Sequence, residues 1–187
     1  MKIISGKYKN RLLPTSKKLG YRPSTTKFRE AVFSILSSGE FIESSPIIGA
    51  RVLDLFAGSG SLSFEALSRG AASILLVDKE EGHLKMAKEF AKKINQEGKV
   101  HTLRADALNL PKLDIKYQLV FIDPPYYNGY IKQSINNLIL HKLLEDKAII
   151  VVEMSAQEQV ELPVNVEIVK EKLYSNNKLL VLRYIQI

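Results

Sequence analysis

The chain has 187 residues, of which 45% are hydrophobic and 25% charged, and it contains no cysteine. This composition is ordinary for a single globular domain, and it excludes disulfides, Cys-ligated zinc and thiol catalysis. No apolar run reaches the roughly 18 residues of a membrane-spanning helix, and the opening MKIISGKYKN lacks the apolar stretch of a signal peptide. We therefore expect a cytoplasmic protein, and its three scattered histidines predict no bound metal.

The formal net charge of +7 is concentrated at the N-terminus. Nine of the 27 Lys and Arg residues lie within residues 1–29, where there is no Asp or Glu. Two apolar stretches separated by a glycine-containing turn, in KIISGKYKNRLLP, predict a short β-hairpin within residues 1–20. We predict that this basic hairpin contacts a polyanion through Lys7, Lys9 and Arg11. A solvated tail is the alternative.

The first helix is predicted within residues 22–38, where a proline and a Ser/Thr cluster precede apolar residues at helical spacing. After residue 50, near-continuous apolar strands alternate with amphipathic helices, which is typical of a parallel sheet covered on both faces. These strands are predicted at 51–56, 73–78, 100–106, 118–123 and 148–153.

The C-terminal end breaks this alternation. Two further strands, VEIVKEKLY and KLLVLRYIQI, are joined directly across SNN and predict an antiparallel hairpin. The fold class is therefore α/β, with a mostly parallel seven-stranded sheet, helices on both faces and an antiparallel C-terminal hairpin. Residues 21–187 form this domain, which follows the small N-terminal hairpin.

The first strand of the α/β pattern runs into the turn DLFAGSGS, which carries Gly58 and Gly60. Glycine permits a positive φ and a close approach of a ligand to the backbone. The turn is not the dinucleotide fingerprint G-x-G-x-x-G, because Ser63 occupies the third glycine position, and no Gly-Lys-Ser/Thr follows it as in a P-loop. The turn therefore disfavours a dinucleotide oxidoreductase and a phosphate site.

Three acids, Asp54, Asp78 and Asp106, lie at the ends of three successive predicted strands. Ligands of open α/β sheets bind beyond the carboxyl ends of the strands. Asp78 is placed to accept hydrogen bonds from ribose hydroxyls, Asp106 can reach an adenine amine, and three acids favour a cation over a phosphate. S-adenosylmethionine has these features, although each acid could instead cap a strand or helix. The predicted cofactor residues are Asp54, Phe56, Ala57, Gly58, Gly60, Asp78, Asp106 and Ala107.

The segment FIDPPYYNGY (121–130) ends the fourth strand with an acid, two prolines and tyrosines. The prolines have a fixed φ, so the Asp123 carboxylate and the Pro124 carbonyl can lie close together as two acceptors for one NH2 group. Tyr126 provides a face on which a base can stack. We predict that Asp123, Pro124 and Tyr126 position an exocyclic base amine for methyl transfer; a simple strand-ending turn is the alternative.

These motifs resemble those of the class I, Rossmann-like methyltransferases, and more closely those of the bacterial 16S ribosomal RNA guanine-N2 methyltransferases of the RsmD family. The matching segments are RPSTTKFREAVFSIL (22–36), LDLFAGSGSLSFEALSRGA (53–71), LVDKE (76–80) and FIDPPYYNGY (121–130). The resemblance implies a monomeric enzyme that uses S-adenosylmethionine to methylate one guanine N2 of 16S rRNA within the assembled small-subunit particle. The RNA-contacting residues would be Lys7, Lys9, Arg11, Arg22, Pro125 and Tyr127.

The chain departs from the family pattern at a few positions. Asp78 replaces the usual Glu, and Ser61 and Ser63 stand where Ala and Gly are usual, so the packing of this helix on the sheet is expected to differ slightly. Two roles remain open for Arg22 and Arg29, a contact with RNA phosphate and a contact with the cofactor carboxylate. For Arg29, an ordinary position on a helix surface is an equal alternative.

Two other functions fit parts of the sequence. The Asp-Pro-Pro-Tyr motif equally permits N6-adenine methylation of DNA, but the chain leaves room for only a short hairpin beside the catalytic domain, and not for a duplex-recognition domain. A non-catalytic RNA-binding assembly factor is the alternative outside enzymes, and the presence of both glycines and of Asp123 disfavours it. Exposed bases and shape carry much of RNA specificity, so a small enzyme suffices for an RNA target.

Overall fold

The computed structural model of the protein describes residues 1–14, 25–125, 129–174 and 176–186, apart from the side chain of Glu40. Arg22, Tyr126, Tyr127 and the end of the predicted hairpin, 15–20, lie outside the described residues. None of the helices in the described part is long and apolar enough to cross a membrane.

Seven strands form one sheet in the order β3-β2-β1-β4-β5-β7-β6. The strands β1 to β5 pair in parallel, and β7 pairs antiparallel with both β5 and β6. This is the predicted sheet, including its antiparallel C-terminal hairpin. The strands are β1 Arg51–Leu55, β2 Ser73–Asp78, β3 Val100–Arg104, β4 Tyr117–Ile122, β5 Leu144–Ser155, β6 Val166–Tyr174 and β7 Asn177–Tyr184.

Four α-helices connect and cover these strands: α1 Thr26–Ile35, α2 Ser61–Ser68, α3 Glu81–Lys93 and α4 Tyr130–Leu140. The predicted Ser/Thr cap of α1 is Thr25, whose hydroxyl accepts from the Phe28 N–H at 3.2 Å. Short 3₁₀ turns at Gly39–Phe41 and Glu97–Lys99 complete the described helical structure.

The apolar core lies on both faces of the sheet, as the continuous apolar strands predict. Along β4, Leu119 and Phe121 pack into the cluster that α1, α2 and α3 cover. Val120 and Ile122 point to the opposite cluster, which α4 covers. Successive side chains of a β-strand point to opposite faces of the sheet. Both faces of the central strands are therefore covered by apolar residues.

Strand order reverses direction between β1 and β4, since β2 and β3 continue on one side of β1 while β4 and β5 continue on the other. A crevice forms at such a switch point, beyond the carboxyl ends of the strands. The predicted site segments all lie at this edge. The strands β3 and β4 end at Arg104 and Ile122, so Asp106 and Asp123 lie just beyond the sheet.

Residues 1–14 pack against the domain through Ile3, Tyr8 and Leu13, which are all buried in the core. The segment folds back on itself with one antiparallel bridge, between Lys2 and Leu12. The Ile3 N–H donates to the Arg11 carbonyl at 3.0 Å. Residues 1–14 therefore contain antiparallel pairing and share the core of the domain, while a hairpin over residues 1–20 stays a prediction.

Candidate active site

The glycine turn after β1 has the backbone conformation that the sequence predicts. Gly58 and Gly60 have φ values of 53° and 78°, in the left-handed region that favours glycine. A Cβ on Gly60 would lie 2.8 Å from Leu76 Cδ2, so a larger residue would strain the turn twice, through its φ and through this contact. The Gly58 N–H donates to Asp78 Oδ2 at 2.7 Å, which ties the turn to the end of β2.

A cavity of about 270 Å³ opens beside this turn at the carboxyl edge of the sheet. Its lining comes from the ends of all four neighbouring strands and from the start of α4. Four predicted residues line it: the cofactor residues Phe56, Asp78 and Ala107, and the RNA residue Pro125. The remaining lining residues are Lys79, Ala105, Leu108 and Tyr130. The structure therefore brings residues from four separate sequence segments into one cavity of mixed polarity.

Asp78 and Asp106 have their carboxylates held by backbone N–H groups. Asp78 accepts from Gly58 and, through Oδ1, from Glu80 at 2.8 Å. Asp106 accepts from Leu108 at 2.9 Å, and the Lys79 ammonium lies 2.9 Å from its other oxygen. The Leu108 N–H, and then Lys79, hold the pKa of Asp106 below its ordinary value. Each carboxylate oxygen has a second lone pair, so both acids keep capacity to accept from a ligand.

Asp54 is 3% exposed, and its Oδ2 accepts from the Ser63 hydroxyl at 2.8 Å. Burial raises the pKa of Asp54 well above its ordinary value, the Ser63 hydrogen bond opposes this, and the charges of Asp123 and Asp78 raise it further. Ser63, at one of the positions where the chain departs from the family pattern, is therefore a hydrogen-bond donor to this acid, and the expected difference in helix packing stays a prediction. Asp54, Asp78 and Asp123 together make the edge of the sheet acidic.

Asp123 follows directly on β4, whose last residue Ile122 pairs with Leu55 of β1. Asp123 is half-buried, Pro124 is buried and Pro125 is exposed at the cavity wall. The acid-proline segment therefore leads from the end of the central strand to the wall of the cavity. The acid that is predicted to hold the amine and the residues that are predicted to hold the cofactor lie side by side.

The basic side chains of the N-terminal segment lie away from this edge. The Lys7 N–H donates to the carbonyl of Ser68 at 2.7 Å, at the C-terminal end of α2. The glycine turn is at the N-terminal end of α2, and an eight-residue helix is about 12 Å long. Lys7, Lys9 and Arg11 are exposed, but they do not lie beside the cavity.

Arg29 is not at the surface. It is 1% exposed, and its Nη1 donates to the Lys2 carbonyl at 3.1 Å and lies 4.0 Å from Glu65. The suggestion that Arg29 contacts RNA phosphate or lies on a helix surface is therefore wrong. The Arg29 Nη2 also donates to the Thr26 hydroxyl at 3.5 Å, within the same helix. The contacts with the backbone of residue 2 and with the buried acid are long-range, and a local helical pattern cannot reveal them.

Four of the described residues that line the cavity received no role from the sequence, and two of them, Lys79 and Tyr130, have polar side chains. Lys79 follows Asp78 directly, and Tyr130 ends the quoted motif FIDPPYYNGY. Both line the cavity. The position of Lys79 after a strand-ending acid was a usable signal, whereas the ring of Tyr130 reaches the cavity only because α4 begins at this residue.

Comparisons with known proteins agree with the fold. A family model described as conserved hypothetical protein 95 matches residues 1–183. The chain is 42% identical to the uncharacterized methylase RP545 of Rickettsia prowazekii (strain Madrid E), over 98% of each protein. It is 31% identical to the ribosomal RNA small subunit methyltransferase D of Escherichia coli (strain K12), over 92% of this chain and 84% of the relative.

A solved structure gives the same result. The yhhF protein of Escherichia coli, named as a candidate methyltransferase, superposes with a TM-score of 0.87 and 28% identity, over 100% of this chain and 99% of that one. The predicted resemblance and the Rossmann-like fold are thereby confirmed. The chain belongs to the conserved hypothetical protein 95 family, that of the RsmD-like methyltransferases.

Proposed function

We propose that the protein transfers a methyl group from S-adenosylmethionine to the exocyclic N2 amine of a guanine in 16S rRNA, within the small-subunit particle and in the cytoplasm. The observation that carries this proposal is the position of Asp123. It lies just beyond the central strand β4, beside the cavity that Asp78, Phe56 and Ala107 line. The particle and the monomeric state remain expectations from the resemblance.

The cavity suits an adenosine-containing cation. Asp78 has lone pairs left for ribose hydroxyls after it has accepted from Gly58 and Glu80. Ala105 and Ala107 leave space for a flat ring next to Phe56. The charge of Asp123 favours the cationic methionine part by electrostatic attraction. Gly58 and Gly60 let that part approach the backbone closely.

The bound cofactor would supply an electrophilic methyl group on its sulfonium. The lone pair of the base nitrogen forms the new N–C bond as the S–C bond breaks, and one N–H proton is then lost to solvent. The Asp123 carboxylate and the Pro124 carbonyl would accept from the two hydrogens of the amine and so orient its lone pair. A preorganised carboxylate also stabilises the positive charge that develops on the nitrogen.

The RNA target rests on two observations. Relatives of this chain are named ribosomal RNA small subunit methyltransferase D, and Lys7, Lys9 and Arg11 are exposed on a segment without an acid. We assign these side chains to phosphate contacts made by residues 1–20 as a basic hairpin. We assign Arg22, Pro125 and Tyr127 to the RNA, and Tyr126 to stacking on the target base.

The test is a methylation assay with purified protein and S-adenosylmethionine on small-subunit particles from a strain that lacks the protein. Naked 16S rRNA and double-stranded DNA are assayed in parallel, and the product nucleosides are identified by mass spectrometry. We expect N2-methylguanosine from the particles. N6-methyladenine from DNA would replace our proposal with the alternative enzyme, and cofactor-dependent methylation of none of the three substrates would contradict it.

A further inference from the structure

Two aromatic rings from distant parts of the chain form one wall of the cavity. Phe56 follows β1, and Tyr130 is the first residue of α4. Their ring centroids are 6.1 Å apart and their planes differ by 10°, within the range of stacked aromatic pairs. Both side chains are half-buried, and both line the cavity with Asp78 and Ala107. The wall is therefore aromatic on the side of α4.

The backbone of Phe56 is strained. Its φ is 62°, in the left-handed region that a bulky residue rarely adopts. This conformation turns the chain so that the following Ala57 N–H donates to the Val77 carbonyl at 3.0 Å. It also directs the Phe56 ring towards Tyr130 and the cavity. Strained residues of this kind cluster at active sites and ligand-binding walls.

Tyr130 is held at the wall by the helix that it begins. Gly129 precedes it with a φ of 66°, which allows the sharp entry into α4. The side chains of Gln133, at 3.5 Å, and of Asn137 both donate to the carbonyl of Leu108. Leu108 itself lines the cavity. The start of α4 is therefore tied across the cavity to the segment that follows β3.

We propose that Tyr130 is a cofactor-binding residue, and that its ring and that of Phe56 form the wall on which the adenine of the cofactor stacks. This inference rests on the proposed function, because it requires an adenosine-containing cofactor. Aromatic side chains are surfaces on which bases stack in proteins. Asp78 lines the same cavity and would accept from the ribose, so one cavity would hold both halves of the adenosine.

The absence of tryptophan from the chain allows a direct test. The Tyr130→Trp variant has a single indole at the proposed wall, and we expect its fluorescence to be quenched by S-adenosylhomocysteine and by adenosine. The matched control is Tyr184→Trp, at the end of β7 and at the amino edge of the sheet. Its fluorescence should not change. Equal quenching in both variants, or none in Tyr130→Trp, would overturn the proposal.

Affinities measured by calorimetry add a second test. Loss of a base-stacking ring weakens binding by about fivefold or more. Tyr130→Ala should therefore lower the affinities for S-adenosylhomocysteine and for adenosine by the same factor. Tyr130→Phe should bind both ligands as the unmodified protein does. A loss for S-adenosylhomocysteine alone would overturn the proposal, because the ring would then contact the methionine part. If the unmodified protein binds neither ligand, the proposed function fails as well.

Discussion

Two acids, Asp78 and Glu65, accept hydrogen bonds from backbone N–H groups near helix α2, but only Asp78 lines the cavity. At the N-terminal end of α2, Asp78 accepts from two backbone N–H groups, of Gly58 and Glu80, and lines the cavity. In the second half of the helix, Glu65 also accepts from two backbone N–H groups, of Ile4 at 2.7 Å and Ser5 at 3.0 Å. Glu65, however, has no exposed surface.

The two acids differ in the charged groups near them and in how deeply they are buried. Glu65 lies 2.8 Å from Arg69 and 4.0 Å from Arg29, so its charge is neutralised within the core. Asp78 stays at a cavity wall, where the His83 Nδ1 lies 3.5 Å from its Oδ2, and the charges of Asp78 and Asp123 both act on Asp54. A buried acid with arginine partners fixes the N-terminal segment, whereas the acid at the cavity wall is available to a cationic or hydroxyl-bearing ligand.

The largest effect on stability is expected for Glu65→Ala. It would leave two arginines and two backbone N–H groups without this acceptor, and such a loss costs about 3–5 kcal/mol. Urea unfolding should detect it, and Glu65→Gln, which keeps one acceptor oxygen, should lose less. The folded fraction of Glu65→Ala should bind S-adenosylhomocysteine normally. A free energy of unfolding equal to that of the unmodified protein would contradict the structural role of Glu65.

For Asp78→Ala we expect a smaller loss of stability than for Glu65→Ala and a larger loss of cofactor affinity. The Gly58 and Glu80 N–H groups would be left to water, at a cost of about 1–2 kcal/mol, but the main effect falls on the cofactor. We expect about a tenfold loss of affinity for S-adenosylhomocysteine, measured by calorimetry. The control is Glu81→Ala, since this side chain is 76% exposed and pairs with Arg104 at the surface. Unchanged affinity in Asp78→Ala would remove Asp78 from the cofactor site.

A pH dependence distinguishes Asp54 from both of these acids. Because burial raises its pKa well above 3.8 in the folded protein, the native state holds this proton more tightly than the unfolded chain does. The stabilisation is present in acid and is lost as the pH rises from about 4 through the folded pKa. Asp54→Asn should therefore be more stable than the unmodified protein at neutral pH, with a flatter profile in thermal unfolding.

Ser63→Ala is the matched change for this profile. It removes the hydrogen bond that lowers the pKa of Asp54, so it should raise that pKa further and extend the same loss of stability to higher pH. Identical pH profiles for the unmodified protein, Asp54→Asn and Ser63→Ala would contradict the assignment of this titration to Asp54.

The smallest effect per residue is expected at the N-terminal surface. Replacing both Lys7 and Lys9 by Ala should weaken RNA binding, because fewer phosphate charges are then neutralised by the protein. The slope of log affinity against log salt should become shallower by about 0.7–0.9 for each such phosphate. The control is the pair Lys170→Ala and Lys172→Ala, exposed on the outer strand β6. Equal effects of the two pairs would mean that the N-terminal segment is not a specific RNA surface.

The sequence predicted what local pattern and chemistry determine. The strands follow from apolar runs, the turn at Gly58 and Gly60 from its glycines, and the end of β2 from Asp78. In the structure these features meet at one cavity because the carboxyl ends of parallel strands share an edge. The Asp-Pro-Pro segment was placed correctly at the end of β4 for the same reason.

Long-range partners were beyond such patterns. In the sequence, Glu65 is only one polar position of a short helix. Its partners Ile4 and Ser5 lie about 60 residues away in the chain, and only the fold brings them to it. The burial of Arg29 follows from the same contact. The basic segment is consequently fixed at the far end of α2, whereas its charge alone suggested an appendage. Tyr130 joins the cavity through the start of α4, which no spacing in the motif specifies.

The central claim is that Asp123 acts on the base amine and that the cofactor site functions without it. One preparation of Asp123→Ala tests this most directly, with S-adenosylhomocysteine affinity measured by calorimetry and methyl transfer measured on small-subunit particles. We predict near-normal affinity and a rate lower by about 10²–10³-fold, as for the loss of a preorganised electrostatic group. Transfer at the unmodified rate, or a loss of cofactor binding that accounts for the whole effect, would contradict the account.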